Sequence, residues 1–393
     1  MNIVRVPFFR TKVTGREVTD VAKSLRSGWL TTGPRVREFE LRFSEYVGVR
    51  HAVTLNSCTA ALHLALEAVG IGRGDQVLVP TMTFAATAEV VRYFDAVPVF
   101  VDCDPVTLCM DAGHLERQAK RHRCKAVIPM HYGGQMCDMF AIKELARRHR
   151  LRIIEDAAHT LPAFMRAGPR GAWKGPGELS DVACFSFYAN KCITTGEGGM
   201  AVTNSMRLAD RMRLMSLHGM NRDPWKRFTA QGSWYYEIVA PGFKYNMTDI
   251  AAALGVEQLK KAGVFWKRRQ EIAARFLAGL RGVEEVELPV ELPDRKHSWH
   301  LFAVKLKVER LKIDRAAFIR ELKDRGIVCS VHWKPLHMMP YYVRKYGYRA
   351  SGFPVAASLW PRLVSLPMFP AMKASEIEYV VDSVSEVARK FRR

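Results

Sequence analysis

Lys191 stands in a short run, SFYANKC (186–192), between two apolar stretches at 182–185 and 200–203. Both stretches read as short buried strands, and Gly196-Glu197-Gly198-Gly199 supplies a hinge between them. The lysine is therefore expected on a loop joining two strands. A lysine held in a tight, apolar pocket loses hydration of its ammonium form. Its pKa falls, and the free amine becomes a nucleophile able to form a Schiff base with an aldehyde. On this stretch alone, Lys191 reads equally as one of 60 basic residues on a solvated surface.

Two further features point the same way. Asp156 closes the run Leu151-Arg152-Ile153-Ile154-Glu155. A carboxylate at the end of a buried strand can pair with a protonated ring nitrogen and keep that ring electron-poor. It can equally cap a helix or join a structural ion pair. Magnesium ligation finds no second carboxylate or histidine at suitable spacing, so no metal is expected. Asn56-Ser57-Cys58-Thr59-Ala60 follows the first strand of the chain. Small hydroxyl residues leading a helix leave free N–H groups and the positive end of the helix dipole, which suits a phosphate and equally an ordinary helix cap. In this chain order, a phosphate cradle, a ring-nitrogen acid and a Schiff-base lysine describe a site for pyridoxal 5′-phosphate (PLP). The three together are more specific than any one.

The elements that must position these residues follow a rhythm. Strands are expected at 52–55, 76–79, 97–101, 126–130 and 151–154. Helices are expected at 57–69, 83–93, 111–121 and 138–148, the last capped by Asp138. This alternation predicts an α/β fold with a mostly parallel sheet covered on both faces and ligands beyond the carboxyl ends of its strands. Helices at 18–25 and 35–47 precede it, and one at 208–217 follows the glycine hinge. The segment 221–244 is long, irregular and aromatic, with Trp225, Trp234, Tyr235 and Tyr236, and reads as a functional or interfacial loop. A long helix capped by Thr248 or Asp249 is expected to break or bend near Gly255 or Gly263. Beyond about residue 260 the rhythm gives way to a strand at 299–307 and helices at 314–324 and 375–389. The division expected is a large domain at 12–255 and a smaller α+β domain at 256–393, joined by the first few residues.

Composition narrows the function. The net charge is +21, but the basic clusters at 120–125, 147–152 and 267–269 are short and not interleaved with aromatics. No helix-turn-helix or zinc-finger spacing accompanies them, so nucleic acid is not the expected partner, and steering of an anionic small substrate is. Eight cysteines without a C-x-x-C pair fit neither a zinc site nor a disulfide framework. No stretch reaches the roughly 18 apolar residues of a membrane span, and residues 1–12 lack a signal-peptide core. A cytoplasmic location without a membrane partner is expected.

The motifs carry a resemblance over nearly the whole chain. They are WLTTGP (29–34), NSCTAALHLAL (56–66), VLVPTMTFAATAEVV (77–91), PVFVDCD (98–104), VIPMHYGG (127–134), IIEDAAHT (153–160), FSFYANKCITTGEGG (185–199) and PGFKYNMTDIAAALGVEQL (241–259). With them the chain resembles the PLP-dependent sugar-nucleotide aminotransferases of the DegT/StrS family, of PLP-dependent transferase fold type I. The forms around 154–159, 218–220 and 241–249 look closest to enzymes that aminate UDP-linked 4-keto sugars.

The resemblance implies a role for each matching position. Lys191 holds PLP as the internal aldimine and shuttles the proton. Asp156 pairs with the pyridine nitrogen. Ser57, Cys58 and Thr59 form the phosphate turn, and Ser186 also reaches the phosphate. Phe84 stacks on the pyridine face, and His159 lies near the phenolic oxygen. Asn246 reaches across to the partner's cofactor phosphate, implying a homodimer with a shared active site. Tyr188, His332 and His337 fall where sugar-nucleotide contacts are expected. Related dehydratases carry histidine at the aldimine position, so a lysine there favours amino transfer. The function implied moves an amino group from an amino acid, glutamate by expectation, to the keto group of a nucleotide-linked sugar destined for a surface glycan, lipopolysaccharide or antibiotic. Aminocyclitol- or aminoarene-forming transferases on the same scaffold, and a PLP-binding regulatory protein, are the alternatives.

Overall fold

Strand and helix alternate from residue 51 onward in the computed structural model, which describes residues 5–221 and 236–393. The strands of the first half are β1 (His51–Leu55), β2 (Gln76–Pro80), β3 (Val97–Val101), β4 (Cys124–Val127), β5 (Arg152–Asp156), β6 (Phe164–Met165), β7 (Val182–Ser186) and β8 (Gly199–Thr203). All but β6 join one seven-stranded sheet in the order β1-β8-β7-β5-β4-β2-β3. From β7 to β3 the neighbours run parallel, and only β8 is antiparallel to the strands beside it. The mostly parallel α/β sheet expected from the sequence is what forms.

Helices cover both faces: α1 (Gly15–Arg26), α2 (Pro34–Val47), α3 (Cys58–Ala68), α4 (Ala86–Arg92), α5 (Ala112–Arg121), α6 (Met139–His149), α7 (Met206–Ser216), α8 (Asp249–Leu259) and α9 (Ala262–Leu280). Successive strand residues point to opposite faces. Leu55, Val79, Ile154 and Cys184 pack with Leu62 of α3 and Met212 of α7. Val99, Val127 and Ile153 pack with Leu115 of α5 and Ile142 of α6. Ala183, Phe185 and Val202 pack with Phe39 of α2 and Val256 of α8. Helix α3 is apolar nearly all round, so it is buried nearly all round, and the Cys58 thiol of its first turn bonds to Cys184 O of β7.

The second half adds β9 (Val286–Glu287), β10 (Arg295–Lys296), β11 (Phe302–Leu306), α10 (Arg315–Asp324), α11 (Pro340–Tyr346), α12 (Pro354–Leu359), β12 (Leu363–Leu366) and α13 (Ala374–Lys390). A three-stranded antiparallel sheet, β12-β11-β9, carries Phe302 and Val364 into a core with Phe276, Phe318 and Val380. Val6 joins that core and bonds to the backbone of Gly326 and Val328.

Some element bounds differ from those expected. The helix expected at 83–93 begins at Ala86, with Thr83 ahead of it and its hydroxyl 2.6 Å from that of Thr87. The break expected near Gly255 or Gly263 falls at Lys260-Lys261, two residues before Gly263, between α8 and α9. Gly255 is needed for packing rather than bending, since a Cβ there would meet the Phe39 ring at 2.7 Å. Helices α11 and α12 and strand β12 were not anticipated, although a proline opens each of the two helices, a recognisable start signal. Of the aromatic segment 221–244, residues 222–235 with Trp225, Trp234 and Tyr235 lie outside the described residues. Among the described residues no helix is long and apolar enough to cross a membrane.

Candidate active site

The turn from β1 into α3 is the first wall of the site. Ser57 is extended, and its Oγ accepts the Ala60 N–H at 3.1 Å, so it caps the helix. The amides of a first helical turn have no partner within the helix and point outward with the positive end of its dipole. Cys58 and Thr59 occupy that turn, half-buried. The start of β8 crosses immediately beside it. A Cβ on Gly199 would lie 2.3 Å from the Ser57 carbonyl and 2.5 Å from the Cys58 nitrogen. Gly199→Ala is therefore expected to push this turn aside, lowering stability by about 1–3 kcal/mol and weakening anion retention at the helix end. Thermal denaturation with a phosphate-bearing ligand titration checks both.

β5 supplies the second wall. Its last two residues are adjacent carboxylates that, by strand geometry, leave the sheet on opposite faces. Glu155 is fully buried, bonded to His131 Nε2 at 2.7 Å, to the Gly177 N–H at 2.8 Å and to the Ser180 hydroxyl. His131 Nδ1 accepts the Cys137 N–H, so the Glu155 network is closed on itself. Asp156 is equally buried but far less committed. Its Oδ2 accepts from Thr87 Oγ1 at 2.7 Å, and its Oδ1 from the Ala158 N–H at 3.1 Å. Both donors are neutral. Burial pushes the Asp156 carboxyl above the usual aspartate value, while Thr87, Ala158 and the charge of Lys191 pull it back. It is a desolvated acid placed to receive a cation.

Lys191 stands on the loop between β7 and β8. That loop is tied down by Phe187 N–H to Gly198 O, Thr195 N–H to Phe187 O and Lys191 N–H to Tyr188 O, at 2.9–3.0 Å. Part of Lys191 stays open to solvent, yet burial of its amine pushes its pKa below the usual lysine value. The attractions of Asp156, Cys58 and Cys192 oppose that fall. The Cys58 thiol donates to Cys184 O at 3.5 Å, and burial, with Asp156 beside it, holds it well above the usual thiol value. It therefore stays neutral. Three imidazoles complete the surroundings. Burial, then the charge of Lys191, puts His159 and His300 well below the usual histidine value and His332 at about 4. Neutral rings leave the charge of this cluster to Lys191, Asp156 and the buried Arg269, which acts on His300. Gly133 N–H donates to His159 Nδ1 at 3.2 Å, which puts the His159 proton on Nε2, free to be donated.

The structure brings most of the expected residues together. Cys58, Asp156, His159, Lys191 and His332 share one electrostatic neighbourhood, and Ser57 caps the helix that Cys58 opens. Ser186 ends β7 directly opposite Gly199. Phe84 is 58 % exposed, with its ring 6.4 Å from that of Trp333, which stacks on His159 at 5.2 Å. Tyr188, 44 % exposed, bridges Gly196 at the mouth of the lysine loop. Two residues have other settings. His337 is buried, stacked on Phe353, with Nδ1 2.7 Å from Thr81 Oγ1, so it anchors the segment leading to Phe84. Asn246 bonds to Thr32 and Lys244 and lines a separate cleft of about 1010 Å³ whose lining includes none of the Lys191 cluster. Thr87, His300 and Trp333 were missed by the sequence reading. Thr87 alone left a trace, one helical turn beyond Thr83.

Comparison with known proteins decides the family. The model of the DegT/DnrJ/EryC1/StrS aminotransferase family matches residues 12–385. The chain belongs to this family. Two relatives match nearly end to end. One is an uncharacterized protein, MJ1066, of Methanocaldococcus jannaschii, 43% identical over 98% of both chains. The other is the spore coat polysaccharide biosynthesis protein SpsC of Bacillus subtilis, 41% identical over 98% of this chain and 97% of that one. Among solved structures, the putative sugar aminotransferase Spr1654 of Streptococcus pneumoniae in its PMP form superposes with a TM-score of 0.89, at 31% identity and 98% coverage of both chains. A PLP form of the same protein superposes equally well. The resemblance and fold type read from the motifs are thus borne out, and this DegT-family member is an aminotransferase.

Proposed function

We propose that the chain is a PLP-dependent sugar aminotransferase that takes its amino group from glutamate and delivers it to the keto group of a nucleotide-linked sugar. The observation that carries this reading is the pairing of a buried acid bonded only to neutral donors with a desolvated lysine, beside a helix N-terminus kept open by Gly199. Those features suit a phosphorylated pyridine aldehyde. Ser57, Cys58, Thr59 and Ser186 would hold its phosphate, Asp156 its ring nitrogen, Phe84 its ring face and His159 Nε2–H its phenolic oxygen. Bound there, the cofactor supplies an electron sink for carbanion chemistry next to nitrogen.

The chain's own residues do the rest. Asp156, kept ionised by a positive partner, holds that partner charged. Lys191 Nζ, which burial makes a weaker holder of its proton than an exposed lysine, takes a proton from the substrate carbon and returns one. The neutral His159, His300 and His332 add no competing charge. A sugar substrate is supported by the names of the 41%-identical polysaccharide biosynthesis protein and the superposed sugar aminotransferase. The net charge of +21 suits a nucleotide diphosphate. A homodimer belongs to the proposal: Asn246 lines a cleft apart from its own Lys191, and the family resemblance assigns it to the cofactor phosphate of a second copy. So does the division at 12–255 and 256–393, supported by the separate core around Phe302. Helix α9 contributes Phe265 to one core and Phe276 to the other.

The test supplies the PLP-loaded protein with ¹⁵N-glutamate and a panel of nucleotide-linked keto sugars. The label is expected in an amino sugar, with 2-oxoglutarate released in equal amount. Release of 2-oxoglutarate without labelling of any sugar overturns the acceptor. No release at all overturns the donor.

A further inference from the structure

Two threonines stand behind Asp156. Thr87, in the first turns of α4, donates from Oγ1 to Asp156 Oδ2 at 2.7 Å. Thr83 Oγ1 lies 2.6 Å from Thr87 Oγ1. Both side chains are buried, at 1% exposure or less. A hydroxyl has one proton. Thr87 spends its proton on the carboxylate, so Thr83 must be the donor in the second contact. The chain of donation is therefore fixed: Thr83 to Thr87 to Asp156. Hydrogen bonds in series polarise one another, and a bond to an ionised acceptor is worth more than one between neutral groups.

The relay is carried by the segment that also carries Phe84. Thr87 N–H bonds to Phe84 O at 3.3 Å, and the segment is anchored by Leu336 N–H to Thr81 O at 2.8 Å. We propose that Thr87 is a positioning residue for Asp156, and Thr83 for Thr87, the two hydroxyls holding the carboxylate in its ionised form and in one orientation towards a ring nitrogen. This rests on the reading that Asp156 meets the pyridine nitrogen of PLP. It adds that the protein sets the strength of that contact from a distance, through side chains that touch Asp156 or Thr87.

The experiment compares affinity for PLP with affinity for 1-deaza-PLP, in which a C–H replaces the ring nitrogen. Equilibrium dialysis is run on the full chain freed of cofactor. Wild type is expected to prefer PLP. Thr87→Val, of the same shape without the hydroxyl, is expected to lose about tenfold or more of that preference, the size of one hydrogen bond to a charged group. Thr87→Ser is expected to keep it. Thr83→Val is expected to lose a smaller share, and it carries the test should Thr87→Val fail to fold. Affinity for 1-deaza-PLP is expected to stay unchanged in all the variants, which a general disruption of the site would not allow. A preference in Thr87→Val or Thr83→Val equal to that of wild type overturns the relay and leaves the Asp156 reading intact. No preference in wild type overturns the Asp156 reading itself.

Discussion

Replacing Lys191 by alanine is expected to abolish turnover, with a loss of about 10⁴-fold or more, because one residue then takes away both a nucleophile and a proton carrier. The visible absorption band of the PLP-loaded protein should disappear with it. Desolvation is what fits the amine for both tasks. The Lys191 amine is pushed below the usual lysine value by burial, in spite of Asp156, Cys58 and Cys192 nearby. An amine so placed costs the fold something, so its removal should leave the melting temperature unchanged or higher. That separates a chemical loss from an unfolding one. Lys191→Arg, which keeps charge and bulk but cannot form the Schiff base, should be as inactive as the alanine variant. Retention of the visible band by Lys191→Ala would show that the covalent anchor lies elsewhere.

The second large effect is expected at Asp156. Asparagine there keeps the shape and can still accept from Thr87, but it removes the charge. Turnover at saturating PLP should fall about 10²–10³-fold, the usual size when one preorganised electrostatic partner of a reacting group is lost. Affinity for PLP should weaken as well. The visible band should persist, because Lys191 is untouched. This pattern, with band present and rate lost, is the reverse of what the lysine variant shows. Alanine should be worse than asparagine for stability, since it leaves the buried Thr87 hydroxyl without its acceptor. Near wild-type turnover in Asp156→Asn would mean that the charge of this carboxylate is not used.

How much of this could be read from the chain depended on whether the information was local. Lys191 and its glycine hinge, Asp156 at the end of its strand and Ser57 at the head of α3 are each marked by immediate neighbours, and the sheet could be drawn from the alternation of segments. Thr87, His300 and Trp333 are marked by nothing local. Thr87 matters because α4 passes over the end of β5, and His300 because the segment before β11 runs beside His159, with ring centroids 4.3 Å apart. His337 shows the converse. Its residue type invited a role with substrate, but the fold uses it as an anchor for Thr81. Gly255 misled for a similar reason: a glycine reads as a hinge, and only the approach of Phe39 shows that here it is a clearance.

The paired carboxylates that end β5 have a consequence for how this chain tolerates change. Glu155 and Asp156 are chemically near-equivalent, yet one is sealed into a network with His131, Ser180 and Gly177 and the other faces Lys191's side of the sheet. Only strand parity tells them apart. A deletion or insertion of one residue within 151–154 would turn both to the opposite faces, the shorter acid towards the sealed network and the longer one towards the site. The composition of the strand would survive and its chemistry would not. Indel tolerance in β5 should therefore be close to nil even where point substitutions at Arg152, the exposed first residue of the strand, are accepted. The reaction, in this sense, is encoded in a count.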